Sequence, residues 1–369
     1  MKIDHKYIIG THIMFYEIDM AEEHIQSIIN AVETVDNKEN IHVDLFFNIS
    51  EYFEKIDTSK ISKQGLLDKF NNLVKKLNCS VSYKIYDDNE PFTMVDYRRD
   101  LNYYNCKNYD YVIWGETDCL LPKEMFQSLE TIKQYASQNG IHRYVTTFAT
   151  RKMWDATWGV LEHVDMIDKP FIEKKLPDGS INPEVAKSPH SIRYTMSIDE
   201  MNKINEKSEE FDLRILNHPQ FDGSGLVLSS DPCLDIFEVS SDLLKNGVNI
   251  PHCIMGHLVD DTSMMQSCKQ IMGNNYVQFI VKNILKVHNR EHPKKRLYAL
   301  DMDSNRDLAL VNTTKKGDWF YKMRDLVHVN LGTFGSHQSR FNTYEGSNFS
   351  IDQFCSGYFN TTSAIDEIQ

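Results

Sequence analysis

Two carboxylates one residue apart stand where an apolar run stops. Tyr111-Val112-Ile113-Trp114-Gly115 leads into Glu116-Thr117-Asp118, and Leu120-Leu121-Pro122 follows. Such a run reads as a buried strand that delivers an acidic pair to the carboxyl edge of a sheet, where open α/β folds keep their ligand sites. Side chains at i and i+2 of an extended segment project to the same side, so Glu116 and Asp118 can both face one hard cation or its water shell. Strand ends also carry acids simply because the chain is turning back into water, so the triplet gains meaning only from its company.

Upstream, Arg99 lies in Asp96-Tyr97-Arg98-Arg99-Asp100-Leu101-Asn102. A helix leading into an acid-ended strand can bring a guanidinium fork beside a diphosphate. Local pairing is the competing account. Asp96 sits at helical spacing from Arg99, whereas Arg98 has only Met94 and Asn102 four residues away, so pairing explains one arginine better than both. Downstream, Gly256-His257-Leu258-Val259-Asp260-Asp261-Thr262 runs into an expected helix. An aspartate there is either an N-cap or a carboxylate fixed to take a proton as general base.

The elements that must position these groups follow from periodicity. Tyr7 to Ile13 reads as a strand, and Ala21, Ile25, Ile28, Ile29 and Val32 then repeat at helical spacing. His42 to Phe47 is a second strand, ending at Asn48. A helix is expected from Leu66 to Leu77, a strand from Val81 to Tyr86, a helix from Tyr97 to Tyr104, a helix from Lys123 to Tyr135 and a strand from His142 to Thr147. Alternation of this kind implies a largely parallel sheet covered on both faces. From Arg151 to about Leu216, Pro170, Pro177, Asp178-Gly179, Pro183 and Pro189 break the pattern, as an acceptor-binding insertion would. Beyond it a strand is expected at Gly225 to Leu228, helices at Leu234 to Asn246 and Thr262 to Met272, and a helix or strand at Tyr276 to Lys286.

Composition narrows the class. The 369 residues suffice for a full core, and 41% hydrophobic with 25% charged residues is ordinary for a soluble protein. A net charge of -13 argues against a chain that coats nucleic acid nonspecifically, while leaving room for a local basic groove. The 7 cysteines show no C-x-x-C pair and are expected as free thiols in a reducing compartment. The start, Met1-Lys2-Ile3-Asp4-His5-Lys6, has no signal-peptide core and no segment is apolar enough to span a bilayer, so a cytoplasmic protein without a membrane partner is expected, in the host cytoplasm if a phage encodes it.

Taken in order, these segments resemble the nucleotide-sugar glycosyltransferases of the GT-A fold, especially their large inverting family-two group. The resemblance covers about residues 7 to 290. It rests on Gly10-Thr11-His12 at the first strand end, Asn48 at the second, Arg99, the triplet Glu116-Thr117-Asp118, the Gly-rich strand Gly223-Ser224-Gly225-Leu226-Val227-Leu228, and the pair Asp260-Asp261. It implies a GT-A catalytic domain over 1–300, an α/β architecture with a mixed, mostly parallel sheet flanked by helices and an irregular insertion at about 151–216. A C-terminal extension, 301–369, would pack on it. It further implies a nucleoside-diphosphate sugar donor bound by Gly10, Thr11, His12, Asn48, Arg99, Glu116, Thr117 and Gly225. Mn2+ or Mg2+ would sit at Asp118, with Glu116 reaching it directly or through water and His288 as the later histidine. Asp261 would be the base, with Asp260 beside it. The triplet departs from the family's pattern in opening with Glu, and the acidic pair in being Asp-Asp instead of Glu-Asp.

Gly10-Thr11-His12-Ile13-Met14-Phe15-Tyr16-Glu17 and Trp114-Gly115-Glu116-Thr117-Asp118 further resemble a divergent, phage-encoded branch. This implies a hydroxymethylated pyrimidine in DNA as acceptor and a uridine-linked glucose or arabinose as donor. Arg143, Arg151, Lys152, Trp154, Arg340, Phe341 and Tyr344 would then line the mouth, and Trp154, Trp158 and Tyr194 could stack on a sugar or base. A glycan or small-molecule acceptor is the alternative. Two other classes stay open: a nucleotidyltransferase, against which the lack of a Gly-rich basic loop after the first strand counts, and a noncatalytic sugar-nucleotide-binding protein. Lys294-Lys295-Arg296 either closes over the diphosphate or is a solvated charge run, the second being favoured.

Overall fold

The structure, a computed structural model, describes residues 1–300 except 52–53, 90–91, 152–160, 171, 173–175, 186, 192–193, 209–210, 218–236, 251–263, 265–266, 269–270, 273–274 and 290–291. Gly225, Asp260, Asp261, Lys152, Trp154, Trp158, Arg340, Phe341 and Tyr344 lie outside the described residues, as do the expected strand at Gly225, most of the expected helix at Thr262 and the whole C-terminal extension.

The chain opens as the sequence reads. Strand β1 (Tyr7–Met14) is followed by helix α1 (Ile18–Glu33), β2 (Ile41–Asn48), α2 (Lys63–Lys76), β3 (Ser80–Tyr86), α3 (Met94–Asn105) and β4 (Tyr111–Gly115). Strands β3, β2, β1 and β4 are neighbours in that order and all parallel. Along β1, Tyr7, Ile9 and Ile13 face one core with α1, α2 and α4 (Met125–Gln138), while Ile8 faces a second core with α3. Both faces of the sheet are thus covered, which is why β4 reads as an unbroken apolar run instead of an alternating one. In α1, Ile25, Ile28, Ile29 and Val32 are buried, each supplying roughly 1.5–3 kcal/mol, so packing and not intrinsic propensity holds this helix.

The second half completes an eight-stranded sheet in the order β3-β2-β1-β4-β8-β6-β9-β7, with β6 (Tyr144–Ala149), β7 (Leu213–Asn217), β8 (Phe237–Ser240) and β9 (Val277–Leu285). It is mixed and mostly parallel, the antiparallel members being β8, between β4 and β6, and β7 at the edge. One element differs from the sequence reading and one alternative is resolved. The span from Leu234 to Asn246, expected as one helix, holds β8 and then the short helix α6 (Ser241–Lys245), because the gap between β4 and β6 is closed by ladder bonds to both neighbours. The ambiguous Tyr276 to Lys286 segment is a strand, buried on both faces, a setting in which periodicity cannot separate strand from helix.

Two elements within the irregular insertion were not anticipated, β7 and α5 (Ile198–Asn205), the latter opened by a Ser197–Glu200 capping box. A third feature lies outside the main sheet. Strands β5 (Cys119–Leu120) and β10 (Val287–His288) form a small antiparallel ladder that pairs Cys119 with His288 and Leu120 with Val287. Among the described residues Cys79, Cys106, Cys119 and Cys268 form no disulfide, and no helix is long and apolar enough to cross a membrane.

Candidate functional site

The acidic triplet follows β4, one residue beyond its last, Gly115. That glycine is required by close approach: a Cβ there would lie 2.5 Å from Thr11 Oγ1 and 2.9 Å from His24 Nε2. His24 in turn meets the Cys119 carbonyl through Nδ1 at 2.7 Å and Thr11 Oγ1 through Nε2 at 3.0 Å, which ties α1 to the turn carrying the triplet. Thr117 donates to Glu17 Oε2 at 3.0 Å, and the Asn289 N–H donates to the Asp118 carbonyl at 2.6 Å. The turn is therefore clamped from α1, from the segment before it and from the residue after β10.

The β5–β10 ladder carries His288 to the acids. Its Nε2 lies 3.3 Å from Asp118 Oδ2 and 3.9 Å from Glu116 Oε2. Ligand-capable atoms of Glu116, Asp118, Cys119 and His288 all fall within 4.8 Å of one another. Two carboxylates and an imidazole form an oxygen-rich set with one borderline nitrogen, which suits Mn2+ or Mg2+. The Cys119 sulfur is a soft donor that neither ion favours and lies 3.9 Å from Asp118 Oδ1. By donor chemistry, then, Asp118, Glu116 and His288 fit such an ion.

Two cations reach the same acids. Arg98 Nη2 meets Glu116 Oε1 at 2.5 Å, and its guanidinium lies over the Trp114 ring, 4.8 Å from the centroid. Lys295 Nζ sits 2.9 Å from Asp118 Oδ2. Burial works against the charged form of Asp118, yet Lys295 and His288 together hold its carboxyl well below the usual range. Burial likewise opposes the charge of Lys295, but Asp118, Glu17 and Glu116 hold its ammonium above the usual lysine value. Both are charged in the folded chain across the physiological range.

The sequence reading singles out Arg99, whereas the arginine that meets the acidic triplet is Arg98. Arg99 pairs with Asp96 Oδ1 at 3.2 Å and donates through Nε to the Ile250 carbonyl at 3.1 Å, so it ties α3 to the chain before residue 251. Asp96 is committed to the helix start as well, where it forms a capping box with Thr93. Consecutive helical residues point about 100° apart, so only one of the two arginines can meet the turn after β4.

The remaining expected donor residues divide. His12 and Asn48, at the ends of β1 and β2, lie together: Asn48 Nδ2 is 3.5 Å from His12 Nε2 and donates to the Phe92 carbonyl at 3.0 Å, and the His12 ring stacks on Phe46. Burial, and after it the Arg98 charge, lowers the His12 pKa to about 3, so the ring is neutral at pH 7. Gly10 and Thr11 are tightly packed. A Cβ at Gly10 would strike Leu101 and the Tyr97 hydroxyl, and Thr11 is bonded to His24. Arg151 is buried, with its guanidinium donating to the His288 and Tyr194 carbonyls, so it braces β10 and does not line a mouth. Lys295, favoured from sequence as part of a solvated run, is drawn into the site. Glu17 and Cys119 join it without having been singled out for it.

No family model matches this chain, and no curated protein matches it in sequence. Among solved structures it is similar to S. aureus TarS 1-349, at 14% identity over 89% of this chain and 76% of that one, TM-score 0.36. A UDP-glucose pyrophosphorylase complexed with UDP-glucose is similar at 8% identity over 87% of this chain and 100% of that one, TM-score 0.30. Core-mannan synthase A from Aspergillus fumigatus, in an Mn/GDP form, is similar at 8% identity over 72% of this chain and 64% of that one, TM-score 0.26. Likenesses this distant assign no activity to the chain.

Proposed function

We propose that this chain is a GT-A glycosyltransferase that moves a sugar from a nucleoside diphosphate, UDP being the expected one, to an acceptor hydroxyl with inversion. The observation that carries the reading is the meeting, just beyond β4, of the Glu116, Asp118 and His288 side chains with two cations, Arg98 and Lys295. A site that binds an anion through a cation needs acids on one side and basic groups able to reach the same anion on the other. Mn2+ or Mg2+ held by Asp118, Glu116 and His288 would supply Lewis-acid stabilisation of the leaving diphosphate.

The chain's own residues have distinct parts in this proposal. Arg98 holds Glu116 in place and brings a guanidinium charge to the side of the site where the diphosphate would lie. His12 and Asn48 are set at the ends of β1 and β2, where the nucleoside would lie, with the neutral His12 ring contributing no charge. Asp261, expected from sequence, would take the proton of the acceptor hydroxyl as that oxygen attacks the anomeric carbon from the face opposite the diphosphate, so one displacement inverts the centre without an enzyme nucleophile. Domain limits of 1–300 and 301–369 belong to the same proposal.

The acceptor inferred from the sequence, a hydroxymethylated pyrimidine in phage DNA, loses the support of Arg151, whose guanidinium is committed to two backbone carbonyls. It stands as a proposal beside glycan and small-molecule acceptors. The decisive experiment incubates the chain with UDP-sugars, Mn2+ and either hydroxymethylated duplex DNA or oligosaccharides, and identifies the products. Released UDP together with a glycosylated acceptor supports transfer, with Asp118→Asn and Asp261→Asn both abolishing it. Released pyrophosphate from a nucleoside triphosphate and a sugar phosphate would establish a nucleotidyltransferase in its place, and donor binding with turnover unaffected by Asp261→Asn would refute the assignment of the base.

A further inference from the structure

The acidic pair has a cation of its own. Lys295 Nζ and His288 Nε2 both approach the same oxygen of Asp118, Oδ2, at 2.9 and 3.3 Å. A divalent ion bound through that oxygen must displace the ammonium, because the two would compete for the same lone pairs and repel one another at contact distance. We infer that Lys295 is a resident cation of the acidic site, exchanged off Asp118 when a divalent ion binds and turned onto the donor diphosphate. This rests on the metal-dependent reading proposed above.

The backbone around Lys295 is built for such an exchange of the side chain alone. Asn289 and the residues from His292 to Leu300 are pinned at many points. Asn289 bonds Met196 through both its side-chain oxygen and nitrogen, and Lys294 pairs with Glu23 at 3.3 Å. The Arg296 N–H donates to the Tyr16 carbonyl at 3.0 Å, and Tyr298 donates its hydroxyl to Asp19 Oδ2 at 2.6 Å while the 299 position bridges to Ile56. Arg296 has φ 68°, a left-handed conformation unfavourable for a non-glycine residue, set among those contacts. That turn follows Lys295 directly and fixes its Cα beside the triplet. The lysine side chain keeps 27% of its surface exposed, whereas Asp118 keeps 6%, so of the two partners the lysine is the one packed less tightly.

A second consequence concerns charge. Lys295 on Asp118 and Arg98 on Glu116 offset the repulsion of the two carboxylates. Once a divalent ion takes over Asp118, the released ammonium stands next to the position a metal-bound diphosphate would occupy. Metal and nucleotide are thereby linked through one side chain: Lys295 opposes the metal by itself and favours the nucleotide with the metal present.

The test measures Mn2+ affinity by isothermal titration and by the loss of the free-ion electron paramagnetic signal, for the full chain and for Lys295→Met, Lys295→Arg and Lys294→Ala, with and without UDP. Melting temperatures confirm that each variant folds. Lys295→Met is expected to bind Mn2+ alone on the order of tenfold tighter than the parent, and to bind UDP in the presence of Mn2+ on the order of tenfold more weakly. Lys295→Arg keeps the charge and should stay near the parent, and Lys294→Ala, which removes a nearby charge pairing elsewhere, should shift affinity by no more than about twofold. The opposite signs for metal and nucleotide are not expected of a merely structural lysine. Equal Mn2+ affinity in the parent and Lys295→Met would overturn the exchange while leaving the metal site standing, as would an equal gain in Lys294→Ala. Absence of Mn2+ and Mg2+ binding in every variant, with or without UDP, would overturn the metal reading and the exchange together.

Discussion

Removing Arg98 tests the assignment of the arginine most directly, and a double-mutant cycle with Glu116 isolates the contact. The pair is 2.5 Å apart, with side chains 4% and 14% exposed, and so lies far from the surface regime in which ion pairs are worth little. Breaking a buried pair from one side typically costs about 3–5 kcal/mol, chiefly through the charge left behind. Here Glu116 retains a path to solvent and His288 at 3.9 Å, which brings the expected cost of Arg98→Met to about 3 kcal/mol, including about 1 kcal/mol from the lost stacking over Trp114. Glu116→Gln keeps an acceptor for the guanidinium and should cost about 1–2 kcal/mol. The double variant leaves neither charge stranded, so the coupling between the two positions should be about 2 kcal/mol. Urea unfolding of the four proteins at pH 7 supplies it. The same cycle with Arg99→Met should give coupling to Glu116 within about 0.5 kcal/mol of zero, since Arg99 bonds Asp96 and the Ile250 carbonyl. Coupling of Glu116 to Arg99 and not to Arg98 would refute the geometry on which the site is built.

Two further outcomes follow from the same contacts. Gly115→Ala forces a Cβ to within 2.5 Å of Thr11 Oγ1 and should destabilise the chain by about 1–3 kcal/mol in urea, with a loss of Mn2+ binding as the turn after β4 is displaced; a variant as stable as the parent would show that β4 can move away from α1 without cost. His12, its pKa lowered from the ordinary histidine value to about 3, is neutral in the folded chain but takes up a proton when unfolded below about pH 6.5, so its contribution is present above that pH and is lost as pH falls toward 3. Between pH 7 and 5 this should remove about 2 kcal/mol, and His12→Gln, measured in parallel, should lose that much less over the same interval; identical pH slopes would contradict the burial of a neutral ring.

Much of the first half of the fold was legible because its signals are local. The β-α alternation from Tyr7 to Tyr104, the acid-ended strand and the Asp96–Arg99 pairing each depend on residues close in sequence, where spacing sets which side chains share a face. The meeting of Arg98 with Glu116 also has a local clue, since Arg98 is the arginine without a carboxylate at helical spacing. The Leu234 to Asn246 span failed as a helix for the opposite reason. Its apolar content fits either structure, and the vacancy between β4 and β6 that makes Phe237–Ser240 a strand is created by segments far away in the chain.

The sequence by itself determined that Glu116 and Asp118 would stand together at the end of a buried strand, because an apolar run long enough for one strand can end only at a sheet edge. Tertiary structure alone decided what meets them. His288 arrives through a ladder between β5 and β10, strands of two residues each that carry no periodic signal, and Lys295 arrives because a strap anchored on α1 and on the segment after β2 turns at Arg296. A charge run with many possible neighbours reads as solvent-facing in sequence. It became a site cation because the carboxylate it found is buried, and a buried carboxylate holds its counter-charge far more tightly than water would allow.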